Sequence, residues 1–300
     1  MKTLLFTLER LAAGIEKATV LDRPSEVVAG AVGRALSRPA LRDALSGTPI
    51  GHPVHPVLVA VPIGSWTAAT YLDLTGGDRR AAKRLVGFGI VTAIPTALAG
   101  ASDWVTTSGA ERRVGAAHAV ANSAALLLYA SSWRARRSGR GARGVALSLA
   151  GAAALGAGGW LGGHLVYALG VGVDTTSFQH FPAGWTDVAA ESEVLDGTAI
   201  MRPAGGVPVL LTRTDGAIAA LADRCTHRGG PLHEGELAEG CVTCPWHSSV
   251  FRLDDGTVVS GPASRPQPVA EVRVVDGRVQ VRRPSQLRAL KTRPVGASAS

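Results

Sequence analysis

The 300-residue chain is short of charge, of cysteine and of aromatic rings. Only 18% of its residues are Asp, Glu, Lys or Arg, 46% are hydrophobic, and mean hydropathy is positive at +0.18. That balance excludes disorder over most of the length and is too apolar for two ordinary soluble domains, so part of the chain belongs in a membrane. Three cysteines cannot build a disulfide scaffold. All three lie between Cys225 and Cys244, which marks local chemistry. Aromatic residues make up 5% and do not interleave with a basic patch, so the net charge of +8 carries no sign of a nucleic-acid partner. The charge is also uneven. Residues 1–184 hold 18 Lys and Arg against 10 Asp and Glu, residues 185–283 hold 10 against 13, and the last 17 hold 3 against none.

What is present in the first half is long uncharged runs. Ala44–Leu72, Leu85–Ser102, Val114–Trp133 and Gly144–Val173 contain 29, 18, 20 and 30 residues without a charge. A helix needs roughly 20 apolar residues to cross a bilayer, so these predict four spans within a membrane domain over 44–173. Buried helices of a soluble core are the alternative, but the region offers almost no polar face to water. Tyr71, Trp104, Trp133, Tyr129 and Tyr167 fall near the predicted span ends, where amphipathic rings favour the interface. Gly158, Gly159, Gly162 and Gly163 give two overlapping GxxxG spacings that let a neighbouring helix approach closely. Residues 1–43 mix apolar residues with spaced charges and read as an amphipathic helical segment. Glu9, Arg10, Glu16 and Lys17 interrupt its apolar start too early for a cleaved signal peptide.

Orientation follows from the basic residues. Arg79, Arg80, Lys83 and Arg84 follow span one, and Arg134, Arg136, Arg137, Arg140 and Arg143 follow span three. The opposite side offers Arg38, Arg42, Arg112 and Arg113. This predicts a multi-pass protein of the cell membrane with both inter-span loops cytoplasmic and the C-terminal domain extracytoplasmic. A domain folded round a metal cluster would then need a twin-arginine route, for which Arg136–Arg137 is the only pair in place.

From Trp185 the texture changes to short β-prone runs: Val207–Thr212, Ala217–Leu221, Val250–Leu253, Val269–Val275 and Arg278–Val281. Asp215–Gly216, Asp255–Gly256 and Asp276–Gly277 are hairpin signals between them. The fold class is therefore multidomain: a four-span helical bundle, a linker over 174–184, an all-β antiparallel domain over 185–283, and a basic Pro/Ser/Ala-rich tail over 284–300 that is expected to be mobile.

Within the β domain stand Cys225-Thr226-His227 and Cys244-Pro245-Trp246-His247. Two thiolates and two imidazoles on two loops suit a [2Fe–2S] cluster with one iron on Cys and the other on His. A structural zinc ion on Cys₂His₂ is the competitor, although C-x-H and C-x-x-H across two hairpin loops favour the cluster. Cys241 reads as a buried strand thiol. The constellation resembles the Rieske iron–sulfur family over Trp185–Arg283, including Gly229-Gly230-Pro231-Leu232. The resemblance implies that Cys225 and Cys244 hold one iron while His227 and His247 hold the other near the domain tip. Quinol-oxidising members carry a disulfide between the cluster loops. Gly230 and Trp246 stand at those positions, so the ferredoxin and oxygenase branch is implied. Ser249 falls where the family places a hydroxyl donor to the cluster, Phe251 where it places a Tyr, and Ser248 where a Gly is common. With only 17 residues after Arg283, a catalytic domain with its own 2-His-1-carboxylate iron is not expected, which leaves an electron-transfer component and not a complete oxygenase.

The membrane half resembles an uncharacterised four-span family. The likeness is carried by Gly51-His52-Pro53-Val54-His55-Pro56, Pro62-Ile63-Gly64, Ser102-Asp103-Trp104, His118 and Gly163-His164-Leu165-Val166-Tyr167. Span alternation puts His52, His55, Asp103, His118, Asn122 and His164 at one face of the membrane. Three readings stand for His55, Asp103, His118 and His164: an interfacial polar network, a quinone-type site, or a haem or metal held by paired histidines. For the whole chain, one-electron transfer between an unknown membrane donor and an unknown acceptor leads. A quinol- or haem-linked oxidoreductase subunit and a redox sensor or assembly subunit are the alternatives.

Overall fold

A computed structural model describes residues 2–284, so the expected tail lies outside the described residues apart from Pro284. The chain divides into two compact units at Val173 and Asp174.

The first unit is helical. Three shorter helices, α1 (Lys2–Lys17), α2 (Asp22–Ala35) and α3 (Pro39–Ser46), precede the first span. That span is formed by α4 (His55–Leu58) running into α5 (Ala60–Leu74). It starts eleven residues later than the uncharged run, because Gly47 and Gly51 sit at φ +82° and +70° and prolines follow at 53 and 56. The other spans are α6 (Arg79–Trp104), α7 (Gly109–Arg137) and α8 (Gly141–Tyr167); α6 and α7 are longer than their uncharged runs, whereas α8, at 27 residues, is shorter. Span four ends at Tyr167, ahead of Gly170 and Gly172, both at positive φ. Only 22–28% of each span's apolar window is buried within the bundle, so most of that surface needs lipid. Phe88, Val91, Ile94, Leu98, Val120 and Leu127 lie on that outer surface.

Inside the bundle, rings sit in glycine notches. A Cβ at Gly89 would collide with Trp66 and one at Gly151 would press within 3.1 Å of Tyr129, and the two rings stack at 4.1 Å and 7°. Of the two GxxxG spacings in α8, the Gly158/Gly162 pair faces α7, receiving Asn122 and His118. Gly159 meets nothing within 4 Å. Near the opposite end of the bundle Arg136 makes a two-pronged ion pair with Asp73, with Nη1 2.8 Å from Oδ1. Both side chains are buried, and Ser132 and Ser148 complete the arginine's hydrogen bonds. The N-terminal segment is pinned to the bundle: Arg113 grips Asp22 with two bonds of 2.6 and 2.8 Å and also reaches the carbonyl of Glu16.

The second unit contains three antiparallel sheets. β1 (Thr186–Ala190), β9 (Glu271–Val275) and β10 (Arg278–Arg282) form one, in the order β1-β10-β9. β2 (Ala199–Ala204), β3 (Val207–Thr214) and β4 (Ala217–Ala222) form another. The four short strands β5 (Glu236–Ala238), β6 (Cys241–Thr243), β7 (Val250–Arg252) and β8 (Val258–Ser260) form the third. One apolar core joins β1, β3, β4 and β10 through Ala189, Val209, Leu211, Ala220, Val279 and Val281. A second gathers Leu210, Leu221, Leu232, Val242 and Phe251 round Cys225 and Cys244. Asp215–Gly216 and Asp276–Gly277 have positive φ at both residues, as two-residue hairpin turns require. Asp255–Gly256 differs: only Gly256 has positive φ, and the longer β7–β8 connection is held by Asp255 accepting from Thr257.

The segment 174–184 packs on the β unit. Thr175 donates its N–H to the carbonyl of Thr226 and its hydroxyl to that of Cys225, at 3.2 and 2.7 Å. Phe181 enters the first core.

Candidate functional site

Two loops at one end of the second core share one backbone geometry. In the first, Cys225 N–H donates to Gly230 C=O at 2.9 Å, and Gly229 N–H donates back to Cys225 C=O at 2.8 Å. In the second, Cys244 N–H donates to Ser249 C=O at 2.8 Å, and Ser248 N–H to Cys244 C=O at 3.0 Å. Gly229 and Ser248 occupy equivalent places, at φ +74° and +59°. Ser248 thus adopts the left-handed conformation that a glycine would take without strain. The loops present their side chains like with like. The thiols of Cys225 and Cys244 are buried and hydrogen-bonded to each other, and the rings of His227 and His247 meet edge to face with centroids 5.1 Å apart.

Backbone N–H groups of His227 and Arg228 point at the sulfur of Cys225, and those of Trp246 and His247 at the sulfur of Cys244. Such donors stabilise negative charge on sulfur. The neighbouring thiol pushes Cys225 up, and its hydrogen bond holds Cys244 down, to about 6. His227 Nδ1 is buried without a hydrogen-bond partner, and burial together with the neighbouring His247 and Arg228 lowers that imidazole to about 3. The ring is therefore neutral, with a lone pair suited to a metal. Among the described residues no three or more His, Cys, Asp or Glu side chains converge as a single-ion site. The donor set fits a group with two metal atoms, one facing the thiols and one the imidazoles.

The thiol side is closely packed, whereas Pro245 and Trp246 at the tip of the second loop are exposed. Gly230 lies so near that a Cβ would stand 2.9 Å from the sulfur of Cys244 and 3.1 Å from the Trp246 ring. A glycine-against-indole contact therefore occupies the positions of the inter-loop bridge. The buried Ser249 hydroxyl accepts from Ala263 N–H at 3.0 Å, which leaves its own hydrogen for a second acceptor. Phe251 is fully buried beneath the loops. Cys241 is half-buried on β6 and belongs to neither pair.

Sequence reasoning missed the supports behind the first loop. Gln267, buried, accepts from Thr226 N–H and donates to the carbonyls of Ala222 and Arg224 at 2.6 and 2.7 Å. Thr226 donates its hydroxyl to Arg265 C=O. Asp223, also buried, accepts from the backbone N–H and the ring Nδ1 of His233. The only local sign was that Pro266 and Pro268 force Gln267 into extended chain.

In the membrane unit, Nδ1 of His55 lies 2.9 Å from Thr96 C=O and Nδ1 of His118 lies 2.8 Å from Gly158 C=O. His164 is engaged elsewhere. Its Nε2 pairs with Glu16 of α1 at 2.8 Å and its ring stacks on Trp160. Asp103 lies on α6 three residues past Gly100, and its carbonyl accepts from Thr106. His52 is exposed in the loop before α4.

An antiparallel β domain with paired Cys-His loops, joined to four membrane-length helices, defines a membrane-linked metal-centre protein. Residues 184–280 match the Rieske [2Fe-2S] domain family and residues 51–175 a family described as a predicted membrane protein (DUF2231). The chain is 32% identical over 99 residues to the anthranilate 1,2-dioxygenase ferredoxin subunit of Burkholderia cepacia, which covers 33% of this chain and 92% of the relative. It is 34% identical over 98 residues to ferredoxin CarAc of Metapseudomonas resinovorans, covering 32% and 92%. A solved complex of reduced oxygenase and oxidised ferredoxin in carbazole 1,9a-dioxygenase contains a chain 33% identical to this one, with a TM-score of 0.31, covering 33% of this chain and 92% of that one. The chain belongs to the Rieske [2Fe–2S] family through its β unit, which is fused to a four-span membrane domain. Relatives matched over nearly their whole length are small ferredoxin subunits, so this is an electron-transfer component and not a complete terminal oxygenase.

Proposed function

We propose that the chain is a membrane-anchored one-electron carrier in which Cys225 and Cys244 hold one iron of a [2Fe–2S] cluster and His227 and His247 hold the other. The observation that carries this reading is the sorting of the four side chains: thiol with thiol, and imidazole with imidazole 5.1 Å away. A lone zinc ion would need all four to converge on one point. When bound, the cluster supplies a centre that accepts and releases a single electron. The protein's part is to hold the thiolates under four backbone N–H donors, to keep His227 neutral, and to exclude water with Phe251, Leu232 and Val242. Ser249 offers a further hydrogen, and Phe251 offers none where a tyrosine would.

The four spans fix the carrier to the membrane, where it takes electrons from a membrane donor and passes them to a soluble partner. The basic residues that flank the α5–α6 and α7–α8 connections, on the adjoining ends of α6, α7 and α8, support a cytoplasmic side for those connections and the opposite side for the β unit. Discounting Arg136 and Arg113, each held in an ion pair, leaves that asymmetry unchanged. The test is substitution of the full chain purified in detergent. Cys225→Ser, His227→Ala, Cys244→Ser and His247→Ala each abolish the iron–sulfur absorption, whereas Cys241→Ser retains it. A signal that survives any of the four, or disappears in the fifth, contradicts the ligand set.

A further inference from the structure

The membrane unit is an internal repeat that the sequence hides. On the first helix of each helical pair, His55 corresponds to His118, Trp66 to Tyr129 and Asp73 to Arg136, each 63 residues apart. On the second helix Gly89 corresponds to Gly151, Thr96 to Gly158 and Gly100 to Gly162, each 62 apart. Corresponding residues make corresponding contacts. Trp66 fills the notch at Gly89 and Tyr129 the notch at Gly151. His55 bonds to Thr96 C=O beside Gly100, and His118 to Gly158 C=O beside Gly162. A Cβ at Gly100 would stand 2.7 Å from His55 Cε1, and one at Gly162 3.1 Å from His118 Cε1. A repeat of two spans keeps the same direction through the membrane, so the copies are related by a pseudo-two-fold axis along its normal.

Two of the three corresponding pairs touch each other. Trp66 stacks on Tyr129 and Asp73 binds Arg136, which sets both pairs on the axis. The third pair is His55 and His118, at the far end of the same helices. In each, Nδ1 is committed as a donor to a backbone carbonyl, so Nε2 carries the lone pair. His55 Nε2 makes no hydrogen bond among the described residues. Asn122 Nδ2 stands 3.3 and 3.2 Å from the two ring nitrogens of His118. A donor so nearly equidistant lies on neither lone-pair axis, and Asn122 already donates to the carbonyl of His118 at 2.9 Å. Two imidazoles, each with Nδ1 fixed to a carbonyl and related by the two-fold axis, offer the kind of donor pair a metal centre uses.

The geometry points to a transition-metal centre bound between Nε2 of His55 and Nε2 of His118, the metal being carried by a porphyrin or arriving as a free ion. His164, tied to Glu16, stands outside it. The assignment is independent of the [2Fe–2S] cluster. The test measures total metal and absorption of the detergent-purified full chain, as isolated and after titration with haemin or, separately, with Cu²⁺. One metal equivalent beyond the cluster's irons is expected, with a Soret band if porphyrin carries it and without one if the ion is free. His55→Gln and His118→Gln each weaken binding by more than about 100-fold, beyond what loss of an outer-shell partner costs, while His164→Gln leaves it unchanged. If the Gln variants do not fold, electron spin resonance of the loaded wild-type chain decides, with the cluster oxidised and silent. Two equivalent imidazole nitrogens on the added metal support the site, and none overturns it. Failure of both haemin and Cu²⁺ to bind stoichiometrically, or binding that persists in both His55 and His118 variants, also overturns it.

Discussion

The two loops share one left-handed backbone position and differ in the residue that fills it. Gly229 takes its positive φ freely, whereas Ser248 at +59° carries a Cβ into the same region. Ser248→Gly should therefore stabilise the β unit by about 0.5–1 kcal/mol, seen as a higher midpoint in thermal unfolding with the cluster spectrum unaltered. No gain, or a lower midpoint, would show that the serine side chain compensates its own strain. Two neighbours bear on the redox potential. With no inter-loop bridge and Phe251 in the tyrosine's place, the potential belongs toward the low end of a range of roughly −150 to +300 mV. Removing the hydroxyl in Ser249→Ala should lower it, and adding one in Phe251→Tyr should raise it, each by about 20–60 mV. That is the net worth of one hydrogen bond, about 0.5–1.5 kcal/mol, set against one electron. Potentiometric titration that moves either variant the other way would contradict the assignment of these side chains. At this scale the four proposed ligands were legible, because Cys-x-His and Cys-x-x-His spacing is local. Gln267 and Thr175 were not, because their partners lie across the fold and no local pattern announces a tertiary hydrogen bond.

At the scale of elements, uncharged length located all four spans, yet their ends were set by charged and glycine residues that the length count ignores. Arg136 shows why. As sequence it is one more basic residue of a cytoplasmic loop, but in the fold it lies buried on α7 against Asp73 of α5. Breaking the pair leaves an uncompensated buried charge, so Asp73→Asn should cost about 3–5 kcal/mol in detergent unfolding measurements. The two positions are related by the pseudo-two-fold axis, so the exchange Asp73→Arg with Arg136→Asp should recover most of that loss. An exchange variant no more stable than Asp73→Asn would argue against the symmetry. The repeat itself could not be read from sequence, because its paired positions carry different residues: Trp against Tyr, Asp against Arg. In the β unit, strands of five or more residues beside Asp-Gly turns were visible in part. The three-residue strands β5, β6 and β8 carry too few side chains for alternation to register, and the β5–β6 turn uses Glu239–Gly240, whose Glu is an unusual occupant of positive φ.

For the molecule as a whole, composition and uncharged runs foretold a membrane bundle, short β-prone runs an all-β domain after it, and the resemblance carried by the two Cys-His pairs a Rieske family for that domain; the family matches and the helices agree. The proposed sidedness has its own check. Cysteines introduced at Gly76 and Gly139, in the α5–α6 and α7–α8 loops, should be protected from an impermeant thiol reagent in intact cells, while one at Gly277 in the β9–β10 turn should react. The reverse pattern would put the β unit in the cytoplasm. The metal centre itself is open to electron-nuclear double resonance on the dithionite-reduced full chain. Two strongly coupled imidazole nitrogens on a [2Fe–2S] signal are expected in wild type, with the signal lost in the His227→Ala and His247→Ala variants. A reduced cluster with no nitrogen coupling, or stoichiometric zinc with no iron, would contradict it.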